Sequence, residues 1–313
     1  MEEMHGDMMN QKSGIYLVNK PKGITSNDLV QKIKRKFGYK KVGHAGTLDP
    51  LATGLMVILV NQATKISNYV LENDKSYNVV IKMFTQTDSF DITGKVIEEM
   101  EPVKLSKTLL KETVEFFDGY MYDQYPPIYS AIKVNGKKLY EYARQNKEVK
   151  IEPRIITINH CKLINYDAKN NEIVLDIDCS KGTYIRSFVN DFMHKMNLIG
   201  TVKELQRTSS GNFSLDDAVD LDALQDEDMT SIYDSLLKSK YPLIMYHQEK
   251  DIQQGKPIKI VTNNANEIIF IVNDKKEVLA AYKRAAQGLY VCARGLWEPD
   301  ANATLTEAEK DDL

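Results

Sequence analysis

The chain has 313 residues, 42 % of them hydrophobic and 27 % charged, which gives room for one large domain or two in a soluble globular protein. The formal net charge of −3 gives no global sign of a nucleic-acid partner. The longest strongly apolar run is about six residues, too short to span a membrane. Three widely spaced cysteines exclude a disulfide framework and favour a reducing cytoplasm.

Charge is distributed unevenly along the chain, and the net value hides this. Residues 20–41 contain eight lysines and arginines and a single acid, whereas residues 216–228 contain seven acids and no base. The basic stretch favours an anionic partner for this part of the surface. A solvated helix face without a partner is the alternative.

The N-terminal part of the pattern predicts a leader, a strand and a helix. Residues 1–13 are acidic and lack an apolar segment, which predicts a disordered leader rather than a signal peptide. A short strand begins at Gly14, and residues 25–37 form a capped helix that ends at Gly38. The run at residues 55–60 does not alternate, so we expect a strand that is buried on both faces. The buried stripe of the helix is Leu29, Val30, Ile33 and Phe37.

Strands and helices then interleave without a regular βαβ repeat, which favours a mixed sheet with helices packed on it. Alternation predicts strands at 75–84 and 173–180, the first with Tyr77 on its inward face. Apolar spacing predicts a short helix over 63–73 and longer helices over 106–119 and 184–197.

The pattern of apolar and turn residues changes at about residue 246. Short apolar runs separated by turn residues predict a small all-β module over 246–299. The acidic stretch 216–228 and the segment that follows it are predicted to be a linker or a closing helix. The tail 300–313 is acidic, and we expect it to be disordered.

The loop "GHAGTLDPLATG", residues 43–54, is the first candidate site. Pro50 pushes Asp49 away from helical geometry, and Gly43, Gly46 and Gly54 permit positive φ or a close backbone approach. An acid on a constrained loop beside a buried strand is typical of a preorganised catalytic group. The clustering of His44 and Thr47 around it favours that interpretation. An aspartate that caps its own turn is the alternative.

A second stretch, "SKGTYIRS" at residues 180–187, follows a strand and opens a helix. Arg186 lies near the helix N-terminus, where a cation is unfavourable, so it should have a compensating partner. A carboxylate suits the guanidinium fork and would itself be held in its charged form. An arginine that faces phosphate or solvent is the alternative.

Residues 125–145 interleave tyrosines with basic residues. Aromatic rings can stack on bases while cations contact phosphates, which suits unstacked RNA. A helix with Leu139, Tyr142 and Ala143 in the core is the alternative, and both can hold on opposite faces. The interleaved residues are Tyr129, Lys133, Lys137, Lys138, Tyr140, Tyr142 and Arg144.

Motifs for nucleotide and metal chemistry are absent from the sequence. It has no phosphate-binding G-x-x-x-x-G-K-[ST], no G-x-G-x-x-G after a strand, no H-E-x-x-H and no G-x-S-x-G, and the adjacent His160 and Cys161 lack chelate spacing. We therefore expect no metal and no cofactor. One acid and one arginine would carry any chemistry alone.

The motifs, in their order along the chain, resemble those of the TruB family of bacterial tRNA pseudouridine synthases. The likeness runs from about residue 14 to 215 and rests on "NKPKGITSN", "GHAGTLDPLATGLMVI", "DKSYNV", "PPIYSAIKVNGKKLYEYAR" and "CSKGTYIRS". It implies an α+β fold with a largely antiparallel, bent sheet and flanking helices as a catalytic domain over 14–240. It also implies a C-terminal module similar to PUA domains, which bind RNA.

The resemblance also implies roles for individual residues. Asp49 matches the catalytic aspartate, Arg186 the arginine that pairs with it, and Tyr77 the tyrosine that packs on the target base. His44 matches a histidine that helps to hold the everted nucleotide, and Lys20 and Tyr184 match further active-site positions. Gly43, Thr47, Tyr129 and Lys133 are expected to contact the substrate.

One position departs from the family pattern, because Asn19 stands where an aspartate usually precedes Lys-Pro. The loss of that charge puts the ion pairing around Lys20 in doubt. The expected reaction is isomerisation of the tRNA uridine at position 55, in the T loop, by a monomer in the cytoplasm without a membrane or obligate protein partner. A non-catalytic tRNA-binding protein on the same scaffold, and a metal-free hydrolase that uses His44 and Asp49, are the rival hypotheses.

Overall fold

A computed structural model describes residues 10–71, 74–130, 132–134, 136–139, 142, 145, 149–260 and 266–297. The predicted tail 300–313, residues 1–9 of the predicted leader, and Tyr140, Ala143 and Arg144 lie outside the described residues. The side chains of Lys133, Lys137 and Lys138 also lie outside them.

Helices and strands alternate irregularly along these residues. The helices are α1 (Ser26–Phe37), α2 (Ser67–Leu71), α3 (Lys107–Phe117), α4 (Ile185–Lys195), α5 (Ile232–Lys238) and α6 (Glu249–Gln253). The strands are β1 (Gly14–Lys20), β2 (Val42–Ala45), β3 (Thr53–Val60), β4 (Lys75–Met83), β5 (Thr85–Thr87), β6 (Val96–Glu99), β7 (Met121–Gln124), β8 (Lys133–Val134), β9 (Lys137–Lys138), β10 (Arg154–Asp167), β11 (Glu172–Cys179), β12 (Gly200–Ser210), β13 (Phe213–Ser214), β14 (Val219–Asp220), β15 (Thr230–Ser231), β16 (Leu243–Met245), β17 (Ile258–Lys259), β18 (Ile268–Val272), β19 (Val278–Ala286) and β20 (Leu289–Gly295).

A large mixed sheet of eleven strands forms the body of the molecule. Its main path runs β14-β1-β3-β12-β4-β11-β10-β7, with β2, β13 and β15 paired beside it. The β1–β14 and β3–β12 pairs are parallel and the remaining pairs are antiparallel. The α+β class with a mixed, largely antiparallel sheet and flanking helices is therefore confirmed.

Strand β3 is buried on both faces, as its unbroken apolar run predicts. Met56, Ile58 and Val60 enter the core beneath the helices, whereas Leu55, Val57 and Leu59 enter a second core on the other side of the sheet. All six side chains are fully buried. The loop that precedes β3 is thus attached to one of the least accessible strands of the fold.

Three helices cover the first core. Helix α1 begins with a capping box between Thr25 and Asp28 and ends at Gly38 in the left-handed conformation. Helices α3 and α4 bring Phe117 and Phe188 into edge-to-face contact, with ring centroids 5.3 Å apart. Tyr77 is buried on β4, as predicted, and β11 and α4 also bury one apolar face.

The acidic stretch was predicted to be a linker or a closing helix, and for residues 216–228 this is wrong. The short strands β14 and β15 in and beside this stretch pair with β1 at the edge of the large sheet. The Asn10 N–H donates to the Gly38 carbonyl at 3.0 Å, and Asp226 accepts from the Tyr39 hydroxyl at 2.9 Å. Lys12 forms an ion pair with Asp226, so the described end of the predicted leader lies against the acidic stretch.

The C-terminal strands form a separate five-stranded sheet in the order β16-β18-β19-β20-β17. Strand β16 lies before residue 246, outside the module that the sequence predicted, and pairs in parallel with β18. Phe270 and Leu296 join the second core beside β3. The Tyr69 ring from α2 packs edge-to-face on Phe270 with centroids 5.3 Å apart. A likeness of this module to PUA domains stays a prediction.

Within the described segments, none of the helices has the length and apolar character that a membrane span requires. The same segments contain no group of three or more histidine, cysteine or acidic side chains arranged to hold a metal ion.

Candidate active site

Asp49 lies in the connection between β2 and β3, two strands that pair with each other. The Asp49 carbonyl accepts from the Ala52 N–H at 3.0 Å, which closes a turn around Pro50. The Asp49 side chain is 35 % exposed, so its carboxylate reaches the surface while its backbone is anchored to a buried strand. An accessible acid on a rigid support is suited to act on a bound substrate.

Arg186 forms a two-point ion pair with Asp49. Its Nε lies 2.8 Å from Oδ2 and its Nη2 lies 3.2 Å from Oδ1. The arginine is on the first turn of α4, 137 residues away in the chain, and its side chain is 6 % exposed. The structure thus brings together the acid and the arginine that the sequence predicted to pair. The fork geometry fixes the plane of the carboxylate as well as its position.

The other donors of Arg186 bind backbone carbonyls. Nη1 donates to Ser89 and Nη2 to Tyr129, both at 2.9 Å, and the Asp91 carboxylate lies 3.9 Å from Nη1. One guanidinium therefore joins the acidic loop, the segment at 88–91 and the segment at 125–130. Burial of this cation is compensated by two carboxylates and two carbonyls.

Tyr77 lies on β4, where it pairs with Arg207 of β12 across the sheet. The ring is 7 % exposed, and burial raises the pKa of its hydroxyl, although the nearby Arg207 cation opposes that shift. The phenol thus stays protonated at neutral pH. Its position on the strand next to the one that bears Arg207 places an aromatic surface beside the acidic loop.

Arg207 is a residue that the sequence analysis missed. It is fully buried, and its guanidinium donates to Leu55 O at 2.8 Å, Gly46 O at 3.2 Å and Thr47 O at 3.5 Å. Its backbone also explains Gly54, since a Cβ there would lie 2.3 Å from the Arg207 carbonyl oxygen and φ is +100°. Nothing in the local sequence marks Arg207, because these partners belong to a loop about 150 residues away.

Comparison with known proteins shows the family of the chain. The profile described as TruB family pseudouridylate synthase (N terminal domain) matches residues 34–185. The chain is 48 % identical over 286 residues to "tRNA pseudouridine synthase B" of Mycoplasma capricolum subsp. capricolum, covering 91 % of this chain and 97 % of that protein. It is 43 % identical to the protein of the same name from Mesoplasma florum, covering 91 % and 98 %.

The chain belongs to the TruB family of pseudouridylate synthases. Its fold is also similar to that of a chain in a crystal structure of a Cbf5-Nop10-Gar1 complex, with a TM-score of 0.68 at 17 % identity. That likeness covers 91 % of this chain and 85 % of the other.

In this TruB family member, the predicted contact residues of the loop have different environments. His44 is half-buried. Burial and the Arg207 cation lower the pKa of its imidazole. Its Nδ1 is buried and has no hydrogen-bond partner within the described part of the chain. Thr47 is exposed. The prediction of positive φ or a close backbone approach at Gly43 is wrong. Gly43 lies in the extended strand β2, and a Cβ there would meet only Thr64, at 3.8 Å.

Lys20 is fully buried at the end of β1. Its ammonium donates to the Pro21 carbonyl at 2.9 Å and the Ile24 carbonyl at 2.8 Å, so it closes the turn that leads into α1. Burial lowers the pKa of Lys20 to about 8, although the Asp49 carboxylate opposes the shift.

The departure at Asn19 does not disturb Lys20. The Asn19 amide donates to Asp220 at 2.8 Å, in the parallel β1–β14 pair. An aspartate at position 19 would place two like charges opposite each other, whereas the amide supplies a donor. The doubt about ion pairing around Lys20 is removed, since carbonyl oxygens hold its ammonium.

The segment at 125–145 lies beside the acid–arginine pair. Tyr184 is the N-cap residue of α4, and its backbone N–H and carbonyl both bond the Gln124 side-chain amide, at 2.8 and 3.2 Å. Tyr129 donates to Asp88 at 3.2 Å. Farther on, β8 and β9 form a hairpin. Leu139 and Tyr142 have helical conformation, with Leu139 buried and Tyr142 partly buried, which agrees with the alternative of a helix at these two positions. The contact predicted for the Lys133 side chain lies outside the described residues.

Lys75 is a second cation that the sequence did not single out. Burial and, to a smaller extent, the Arg207 cation lower its pKa to about 8. Its Cε would lie 3.5 Å from a Cβ placed on Gly46, so it borders the acidic loop. Lys20, Lys75, Arg186 and Arg207 together give the site a positive potential around one partly exposed carboxylate, which favours a negatively charged substrate.

Proposed function

We propose that this chain isomerises a uridine of tRNA to pseudouridine, at position 55 in the T loop. The observation that supports the proposal best is the Asp49–Arg186 pair, because it presents a rigid, accessible carboxylate in a cationic setting. The relatives named tRNA pseudouridine synthase B support the tRNA substrate. The choice of position 55 rests on the sequence motifs.

The reaction needs few chemical groups. The N1–C1′ bond of the uridine breaks, the uracil turns, a C5–C1′ bond forms and the proton on C5 leaves to solvent. In this proposal Asp49 either attacks C1′ as a nucleophile or removes a proton from the sugar. Both routes need an ionised, oriented carboxylate, and the contacts of Arg186 suit that need.

The target base must leave the RNA stack to reach the acid. We assign Tyr77 to the stacking surface for the everted uracil and His44 to the space that the base vacates. The lowered pKa of His44 favours the neutral imidazole, which can accept as well as donate a hydrogen bond. Gly43, Thr47, Tyr129, Lys133, Tyr184 and Lys20 remain the proposed surroundings of the nucleotide.

The T arm is proposed to dock on the basic stretch 20–41 and on the segment 125–145. Most of the basic side chains on α1 and in the loop after it are exposed, and the apolar stripe of the helix faces the core. Lysines and arginines there would contact phosphates, which position the RNA without reading its sequence. The shape of the loop would supply the specificity.

The remaining assignments follow from this proposal. Residues 14–240 form the catalytic domain, and residues 246–299 form a PUA-like module that contacts the RNA. A monomer is expected to suffice, since Asp49 and Arg186 both come from one chain. The cytoplasm is the expected location, because tRNA is modified there.

The Asp49→Asn variant tests the proposed function. It keeps the size of the side chain and two polar atoms near Arg186, so the fold should persist while the reaction stops. Wild-type protein should release tritium from [5-³H]uridine tRNA and leave pseudouridine at position 55, and Asp49→Asn should release it at least ~10³-fold more slowly. Appreciable release by the variant would refute the catalytic role of Asp49.

Product analysis of the treated tRNA separates the rival functions. A non-catalytic RNA-binding protein would bind tRNA and leave every uridine unchanged. A hydrolase that uses His44 and Asp49 would leave a cleaved bond. Mapping of pseudouridine to another position would retain the activity and refute position 55.

A further inference from the structure

We propose that the turn over residues 20–24 and the Ser26 hydroxyl form a clamp that positions Asp49, and that the Ser26 hydroxyl is its principal contact. The inference rests on the proposed function, since it takes Asp49 as the reacting group. It gives the short stretch "KPKGITS" a role in the alignment of an acid that lies more than twenty residues farther along the chain.

Ser26 holds the residue immediately before the acid. Its Oγ accepts from the Leu48 N–H at 2.8 Å and donates to the Leu48 carbonyl at 3.0 Å. One hydroxyl can make both bonds, because it has one donor and two acceptor positions. The Leu48 carbonyl belongs to the peptide group that joins Leu48 to Asp49, so the hydroxyl fixes the plane from which the Asp49 side chain projects.

The residue after the acid is held by the same turn. The Gly23 N–H donates to the Pro50 carbonyl at 2.8 Å. The Lys20 ammonium shapes the turn from inside through the Pro21 and Ile24 carbonyls. The clamp therefore binds the residues on both sides of Asp49, which are Leu48 and Pro50.

Helix α1 does not need the Ser26 hydroxyl for its own capping. Thr25 supplies the cap, since its Oγ accepts from the Asp28 N–H at 3.0 Å and its own N–H donates to the Asp28 carboxylate at 2.9 Å. Ser26 is 2 % exposed and points its hydroxyl at the loop instead. The two adjacent hydroxyl residues thus have separate tasks, one within the helix and one on the acid-bearing loop.

Loss of the Ser26 hydroxyl should affect the geometry of Asp49 more than the fold. Arg186 would still bind the carboxylate, and Arg207 would still bind the Gly46 and Thr47 carbonyls. The Leu48 peptide groups would be free to rotate, and a displacement of about 1 Å at a reacting group can slow a reaction by about 10²-fold.

The experiment compares Ser26→Ala, Ser26→Thr and Thr25→Ala with the wild type. For each, we would measure the single-turnover rate of tritium release at saturating enzyme, the Kd for tRNA and the Tm. Ser26→Ala should lower the rate about 10- to 100-fold and leave Kd within about two-fold. Ser26→Thr retains the hydroxyl and should stay within about five-fold of the wild-type rate. Thr25→Ala should lower Tm through loss of the cap and retain the rate.

Three results would overturn the clamp. These are a Ser26→Ala rate within two-fold of wild type, a Ser26→Thr rate as low as that of Ser26→Ala, or a Thr25→Ala rate as low as that of Ser26→Ala. If Ser26→Ala does not fold, Ser26→Cys fills the space with a weaker donor and should show the same loss of rate at unchanged Kd. A wild type that releases no tritium would refute the proposed function, whereas an active wild type with an equally active Ser26→Ala would refute only the clamp.

Discussion

The contacts of Arg186 predict that the two partners of the ion pair contribute unequally to stability. Replacement of Arg186 by Met keeps most of the apolar stem and removes the guanidinium. The Ser89 and Tyr129 carbonyls then lose their donor, and the Asp91 carboxylate loses its nearest cation, 3.9 Å away. Replacement of Asp49 by Asn leaves all of those contacts in place.

The expected magnitude follows from burial. The loss of one partner of a buried ion pair costs about 3–5 kcal/mol. Asp49 is 35 % exposed and can rehydrate, so we expect the lower end, about 3 kcal/mol, for Arg186→Met. Asp49→Asn should cost about 1 kcal/mol, because Arg186 keeps two carbonyls and Asp91.

Thermal unfolding at neutral pH tests this asymmetry. A chain of this size loses about 2 °C of Tm per kcal/mol, so Arg186→Met should melt about 6 °C below wild type and Asp49→Asn about 2 °C below it. Lys111→Ala, which breaks an exposed helical pair with Glu115, is the control and should leave Tm unchanged. An Arg186→Met Tm equal to that of wild type, or equal losses for the two site variants, would refute the reasoning.

Three further predictions concern the RNA surface, a buried lysine and two glycines. With about six phosphate contacts, tRNA affinity should fall about 10³-fold between 50 and 200 mM salt, and charge removal at residues 34–36 should flatten the dependence; a flat wild-type slope in filter binding would contradict the docking surface. The pKa of Lys20 is about 8 in the folded chain against an ordinary 10.5, so between those values the unfolded chain binds the extra proton and stability rises with pH. The Tm of Lys20→Met relative to wild type should therefore be higher at pH 7 than at pH 10, and an unchanged difference would count against a buried charge. Gly54→Ala should fail to give a folded chain, because its Cβ would lie 2.3 Å from a backbone oxygen, whereas Gly43→Ala should melt within about 2 °C of wild type by the scale above, since its Cβ meets an atom at 3.8 Å. Comparable expression and Tm for both glycine variants would show that the close approach is absent.

The sequence predicted well those strands in which buried apolar side chains follow a regular pattern. The unbroken run of β3 and the alternation of β4 and β11 depend on the apolar side chains of the strands themselves, so the local pattern is sufficient. Arg186 breaks a local rule at a helix N-terminus and therefore predicted a carboxylate partner, and the resemblance to the TruB family named Asp49 as that partner.

Other features depend on partners that are distant in the chain. The segments at 219–220 and 230–231 have two residues each and only one apolar side chain between them, and they become strands because β1 offers an open edge. Arg207 and Ser26 look like ordinary polar residues of a strand and a helix until the acidic loop is placed against them. A sequence pattern cannot reveal these contacts, because Arg207 and Ser26 bind backbone carbonyls of the loop, which every residue type has.

The two-sided burial of β3 links the loop that bears Asp49 to the C-terminal sheet. The face formed by Leu55, Val57 and Leu59 shares its apolar contacts with Phe270 and Leu296 of the last strands and the turn after them. A chain that stopped before β16 would expose that face to water, directly behind the hairpin that bears Asp49. The C-terminal sheet thus supports the strand that follows the Asp49 loop. A substitution in this sheet is expected to slow the reaction without any contact with RNA.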